Sequence, residues 1–410
     1  MTSFRRSATP ARRTENNAPS GRVGAPTLYA MLMASSLVSA AFVPLAPSFA
    51  RELSLTNVEL GIALAAVTVP LLAVAAPLGV LGDRVSAKPV TLVGGGVLTV
   101  ATAAHAVAFD FPTLLLARLG FGIGTAILWT AGLSWLAALG GDRRQSRALI
   151  ATGSAAGLGI AIGPIYGGLL AEVWSMRAPF ALAAVALAVT TLLLARAPRG
   201  VTAIAGNASL MRTLRELVGH RVLVGASIAL ALSGLAAGMT NLLVPLQLEA
   251  NGVSVATVGL VMTLTTMLFT VGTAFVAQRG DRAASLHAGG LAALVLVAAC
   301  ILVMASSSTP ATIGFLLLRV PAWVVLSTTP YAIIAVFAGS RALPYGAVIG
   351  ILTQIWAVAS SLAPIAAAAV FDLAGTQVAY LLLASTALAV AGWLLTQPPS
   401  ARPIAERAAA

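Results

Sequence analysis

Charged side chains are scarce in this chain of 410 residues: Asp, Glu, Lys and Arg make up 9% of it, against about 25% in a soluble domain. Cysteine occurs once, at Cys300, so no disulfide can form within the chain and no cysteine-rich metal cluster is available. Lysine also occurs once, at Lys88. No Ser/His/Asp or metal-spaced grouping is present, which argues against an enzyme and against a bound cofactor. What fills the chain instead is apolar: 59% of residues are hydrophobic, and the mean hydropathy is +0.96. Such a chain cannot hide its apolar surface from water, so its solvent must be a bilayer.

A membrane-spanning helix needs about 20 mostly apolar residues. Twelve runs qualify: 26–49, 57–81, 89–109, 112–138, 147–171, 177–196, 222–247, 255–278, 285–306, 310–338, 344–371 and 376–396. The expected fold is therefore an all-α membrane protein of twelve transmembrane helices. The longest loop divides the spans six and six. The segments are a disordered tail (1–24), a first six-helix bundle (25–197), a linker (198–220), a second bundle (221–397) and a tail (398–410). The linker holds an amphipathic stretch, 209–217, suited to the membrane surface.

The charges orient the chain. With the first tail placed in the cytoplasm, Arg51 and Arg177 fall in outer loops, and Arg118 and Arg319 lie within spans. The other 20 of the 24 basic residues fall in tails and inner loops. That is the positive-inside bias, and it puts both termini in the cytoplasm. It also explains the net charge of +12 as a basic face toward anionic lipid headgroups, with no nucleic-acid partner.

Sliding the chain on itself by about 200 residues aligns landmarks in order. Val43-Pro44-Leu45 meets Val244-Pro245-Leu246; Ser54, Val58 and Leu60 meet Ser254, Val258 and Leu260; Asp83-Arg84 meets Asp281-Arg282; Pro164 and Glu172 meet Pro364 and Asp372. Leu114-Leu-Leu-Ala-Arg118 pairs with Leu316-Leu-Leu-Arg319. A duplicated six-helix unit is the natural reading, as in many secondary transporters.

Three motifs carry the chemistry. Gly79-x-Leu81-x-Asp83-Arg84-x-x-x-Lys88 is a charged hinge between the second and third spans. Asp83 ends the second span, where that helix's own dipole repels it, so it needs a partner elsewhere. Arg118 and Gly122 share the fourth span, and a bare guanidinium in hydrocarbon costs about 2.5 kcal/mol or more. Gly159-x-x-x-Gly163-Pro164-x-x-Gly167-Gly168 lies in the fifth span. Its glycines permit a close helix neighbour, and Pro164 removes a backbone donor. By contrast, Gly120-x-Gly122-x-Gly124 has no βαβ unit around it and is no dinucleotide site. Thr56 and Glu59 read as a capping box, and His105 reads as a headgroup-facing residue.

These motifs resemble the major facilitator superfamily, and within it the twelve-helix drug:proton antiporter group. The hinge departs from the family pattern at Ser86 and Ala87. The resemblance implies two pseudo-symmetric six-helix halves. It implies an inner latch from Gly79, Asp83, Arg84 and Lys88 to the start of helix 11, with Asp281 and Arg282 as a weaker copy. It implies a coupling role for Arg118 and Gly122, and export as the direction for the helix-5 motif. It also implies a cavity lined by helices 1, 4, 7 and 10 with parts of 2, 5, 8 and 11. Candidates on that wall are Tyr29, Ser36, Ser39, Trp129, Tyr166, Asn241, Gln247, Arg319, Trp323, Thr328, Gln354 and Trp356.

One family feature is missing: no Asp or Glu sits at mid-depth in any span, where proton-coupled exporters place an acid. The expectation is a monomeric exporter of small, lipophilic organic compounds in a bacterial inner membrane, with protons as the counter-ion. Uptake of a sugar, organic acid or nucleoside by the same fold is the alternative, and a membrane sensor a remote one.

Overall fold

The computed structural model describes residues 21–70, 72–73, 87–138, 142–197, 215, 218–279, 285–341 and 345–397. Every regular element among them is helical. The order is α1 (Gly21–Glu52), α2 (Asn57–Pro70), α3 (Ala87–Val107), α4 (Phe111–Leu136), α5 (Asp142–Val173), α6 (Ala178–Ala195), α7 (Arg221–Ala250), α8 (Val255–Ala277), α9 (Leu286–Ala305) and α10 (Thr309–Arg341). A last run, Tyr345–Leu395, turns at Gly375 into α11 (345–374) and α12 (376–395). Gly375 has φ of 84°, which a residue with a side chain rarely adopts. Ten stretches are long and apolar enough to cross a membrane. The last of these holds both α11 and α12, and α2 is described over a shorter apolar length. The fold is thus twelve helices in two related sets of six. The hinge residues Gly79, Asp83 and Arg84 and their copy Asp281 and Arg282 lie outside the described residues, as do the two ends and most of the 198–220 linker.

Boundaries shift where local chemistry decides them. α1 starts at Gly21, earlier than the apolar run. The capping box at α2 forms as its spacing predicts: Glu59 N donates to Thr56 Oγ1 at 3.2 Å, and Thr56 N donates to Glu59 Oε2 at 2.8 Å. Asp110 and Thr113 make a second box that starts α4. Lys88 behaves differently from the latch expectation. Its Nζ is buried and donates to the carbonyls of Ala195 (2.8 Å) and Ala197. The end of α6 presents unpaired carbonyls beside the start of α3, and a cation satisfies both them and the helix dipole.

The helices are apolar on nearly all sides, as buried or lipid-facing helices must be. On α6, Leu182, Val185, Val189 and Leu192 are exposed along one stripe, while Phe180, Leu187 and Leu194 are buried on the other. Within each half, one helix pair packs backbone to backbone. A methyl group at Gly159 would strike the Met33 carbonyl of α1, and one at Gly163 would meet Ala40 Cβ and the Leu37 carbonyl at 2.6 Å. In the second half, the equivalent contact of α7 with α11 places Gly234 2.6 Å from the Trp356 carbonyl by the same measure. Between the halves, α5 packs on α8 and α2 on α11. Each contact is centred on a proline. Ile165, after Pro164, donates its N–H to Thr263 Oγ1 of α8 at 3.0 Å, and Gly61 of α2 faces the Pro364 carbonyl.

Candidate transport site

A cavity of about 560 Å³ lies between the halves, within the range of small-molecule sites. Eight helices line it. Ser36 and Ser39 come from α1, Thr68 from α2, Arg118 and Thr125 from α4, and Pro164 from α5. Asn241 comes from α7, Thr266 and Phe269 from α8, Arg319, Trp323, Ser327 and Tyr331 from α10, and Trp356 and Ser360 from α11. The described lining contains no carboxylate.

Its two charges are repeat-related arginines. Arg118 is 3% exposed. Its Nε donates to the Ala63 carbonyl at 2.8 Å and its Nη2 to that of Leu64 at 3.4 Å. Its guanidinium lies 4.0 Å from the centroid of Phe42. Arg319 is 4% exposed and sits 4.6 Å from the centroid of Trp323, which in turn stacks on Phe269 at 3.8 Å. Nη1 of Arg118, and both Nε and Nη1 of Arg319, are buried without a hydrogen-bond partner. Neither arginine reaches the headgroups, and ring faces and carbonyls offset only part of the cost of burial. His105 differs from its headgroup-facing expectation. It is 0% exposed, because Phe42, Phe121 and Phe180 surround its ring. Its Nδ1–H donates to the Ala101 carbonyl at 2.7 Å, the only role a carbonyl partner leaves it.

Of the wall candidates read from sequence, Ser36, Ser39, Asn241, Arg319, Trp323 and Trp356 lie on the cavity. Tyr29, Trp129, Tyr166, Gln247, Thr328 and Gln354 do not. Tyr29 packs against the hydrophobic core. So does Trp129, which falls in a π turn (Leu128–Gly132) whose extra residue changes the face that follows. The Tyr166 hydroxyl donates to the Pro179 carbonyl at 2.7 Å, so it ties α5 to α6. Gln247 is buried beside Tyr380 of α12. The Thr328 hydroxyl turns back onto the Val324 carbonyl of its own helix at 2.7 Å. Phe269, Ser327 and Tyr331 were missed. The signal for two of them was present, since Arg319, Trp323, Ser327 and Tyr331 recur every four residues on one face of α10.

At the end of the bundle that the charge bias assigns outside, three polar links join the halves. Glu172 Oε2 accepts from Ala256 N at the start of α8, at 3.0 Å. Asp372 Oδ1 accepts from Asn57 Nδ2 at the start of α2, at 2.6 Å. Arg51 pairs with Glu249. The first two are copies of one device, a carboxylate from one half set at a helix N-terminus of the other, where the dipole favours it. The Arg177–Glu52 pair, at 2.6 Å, stays within the first half.

The family model described as the Major Facilitator Superfamily matches residues 28–364. Among curated relatives, the uncharacterized MFS-type transporter EfpA of Mycobacterium tuberculosis is 35% identical over 122 residues, 28% of this chain and 23% of that protein. The vesicular acetylcholine transporter of Homo sapiens is 35% identical over 141 residues, 34% of this chain and 26% of that one. The chain thus matches about a quarter of the length of these relatives. Two solved structures share the fold. The inward-facing, unoccupied bacterial homolog of the human lysosomal transporter Spinster superposes with a TM-score of 0.73 at 14% identity, over 96% of this chain and 97% of that one. The human organic anion transporter MFSD10 (TETRAN) gives 0.61 at 21% identity, over 92% and 100%. The matched span takes in every residue described on the cavity wall, and the chain belongs to the Major Facilitator Superfamily of membrane transporters.

Proposed function

We propose that the protein exports small, lipophilic organic compounds across a bacterial inner membrane by alternating access, with protons as the counter-ion and both termini in the cytoplasm. The observation that carries this reading is the cavity. It draws its wall from repeat-related helices of both halves, and few polar links close its outer end. The proline-centred contacts and exposed carboxylates between the halves suit a rocking of one half against the other. The aromatic and aliphatic lining suits an apolar solute. The glycine and proline pattern of α5 supports export by its resemblance to antiporters. The capping box engages Glu59, and Asp83 or the solute itself is the carrier this reading assigns to the proton.

Transport in inside-out vesicles tests the proposal. Uptake of a lipophilic solute that collapses when the pH gradient is dissipated is the expected result. Uptake indifferent to the gradient would remove the antiport, and movement only in right-side-out vesicles would reverse the direction.

A further inference from the structure

We infer that the cavity selects organic anions: an aromatic or lipophilic body with one carboxylate or comparable anionic group, held at Arg319 with Arg118 adding to the field. This rests on the reading of the cavity as the transport site and names the solute class that it takes.

The argument starts from uncompensated charge. Two guanidinium groups, each nine-tenths or more buried, face one cavity whose described wall offers no carboxylate. A buried arginine ordinarily has a carboxylate, and one held only by ring faces and carbonyls keeps much of the cost of its desolvation. Described ion pairs occur only at the outer end of the bundle. The two arginines are not equivalent. Carbonyls of α2 hold two nitrogens of Arg118 and leave only Nη1 without a partner. Arg319 keeps both Nε and Nη1 buried without a hydrogen-bond partner. A carboxylate in the cavity supplies the opposite charge that this guanidinium lacks.

The rest of the wall fits the body of the same solute. Trp323, Phe269, Tyr331 and Trp356 supply flat apolar surface. Ser327 carries a hydroxyl two turns along from Arg319, although Ser233 already shares it at 2.6 Å. A cationic solute finds the opposite. The ring faces that would attract an ammonium group are already taken, Trp323 by Arg319 and Phe42 by Arg118, and no acid of the described wall offsets the two positive charges. A solute such as a quaternary amine is therefore excluded by electrostatics even where its size is right.

The test is a charge series on one carbon frame. The full-length protein in lipid nanodiscs is titrated by equilibrium dialysis with 4-ethylbenzoate, with neutral 4-ethylbenzamide and with cationic 4-ethylbenzylamine. The carboxylate should bind about tenfold more tightly than the amide, the scale of a charge-assisted hydrogen-bonded pair, and the amine should not bind measurably. Arg319→Gln should bring the carboxylate down to the level of the amide. Trp323→Glu puts an internal acid one turn from Arg319 on the same face and should likewise erase the preference. Equal binding of carboxylate and amide by the unmodified protein overturns the inference without any variant having to fold. So does tighter binding of the amine, or a preference that survives in folded Arg319→Gln. Binding is read without a gradient or a direction, so failure here leaves export standing. A failed vesicle experiment with an intact charge preference removes export and keeps the anion site.

Discussion

Removing the two carboxylates that bridge the halves tests whether polar links hold the outer end closed. Glu172 sits on the first turn of α8 and Asp372 on the first residue of α2, 200 positions apart in the repeat. Both are exposed, so each link is worth the ~0.5–1 kcal/mol of a screened carboxylate at a helix N-terminus. The sites share no partner, so their effects should add. Glu172→Ala with Asp372→Ala then costs the closed state ~1–2 kcal/mol, a shift of about 5- to 30-fold in the closed-to-open ratio. Double electron–electron resonance between spin labels at Phe109→Cys and Ser307→Cys reads that ratio, because these exposed loop positions belong to opposite halves. The single native thiol, Cys300, is buried and replaceable by alanine. The longer-distance population should grow in each single variant and grow further in the double. Raising salt from about 0.01 to 1 M should push the unmodified protein the same way, since the screening length falls from about 30 to 3 Å. Glu52→Ala, which breaks a pair inside one half, should change nothing. A distribution untouched by the double variant, or moved equally by Glu52→Ala, refutes the idea that these links close the bundle.

Other sites make sharper claims about stability. Gly159→Val drives a side chain into the Met33 carbonyl and should cost ~1–3 kcal/mol or more. Gly153→Val, with nothing near its Cβ, should leave the melting temperature alone, and equal effects would refute the close-packing account. Lys88→Met keeps the aliphatic stem but strands the carbonyls of Ala195 and Ala197. It should destabilise the protein by about 2 kcal/mol in thermal unfolding, and an unchanged melting point would show that water replaces the amine. At Asp110, hydrogen bonds from the Thr113 hydroxyl and amide hold the carboxyl below its usual range. Its stabilising effect is therefore complete above the ordinary aspartate value of about 3.9 and is lost as pH falls through the lower folded value. Asp110→Asn should flatten the pH dependence of stability in that window, and an unchanged slope in acid unfolding would refute it.

The helices were legible because each depends on its own residues. Apolar length located twelve spans, and the Thr56-x-x-Glu59 spacing gave a helix start that the backbone then adopts. The cavity was legible in part, through residues too costly to leave in lipid. Arg118 and Arg319 are costly to leave bare in lipid, and both line the cavity. Polarity alone was a poor guide beyond them, because a hydroxyl or amide can be satisfied locally. Tyr166 spends its hydroxyl on the next helix and Thr328 on its own backbone, and neither faces the cavity. His105 was misplaced for a related reason: one span shows a lone polar residue, while the aromatic cage that encloses it comes from α1, α4 and α6.

Close helix contact escapes single-segment reading altogether, because it belongs to a pair. The glycines of α5 stand opposite Ala359, Ala363, Ala367 and Ala368 when the chain is slid by 200, which looks like a motif lost from the second half. The second half keeps the close approach by moving the small residues across the interface. Gly234 and Gly238 sit on α7, facing the Trp356 and Ser360 carbonyls of α11. One missing side chain per contact is enough, and either helix can supply it. Duplication therefore preserves the spacing between two backbones while the sequence that provides it drifts from one partner to the other. Pro164 and Pro364 could not drift in this way. Each offers its carbonyl to a glycine of the opposite half, Gly259 and Gly61 respectively, and the backbone break must lie on the helix that carries it. The prolines are accordingly the landmarks on which self-alignment succeeds, and the glycines of α5 those on which it fails.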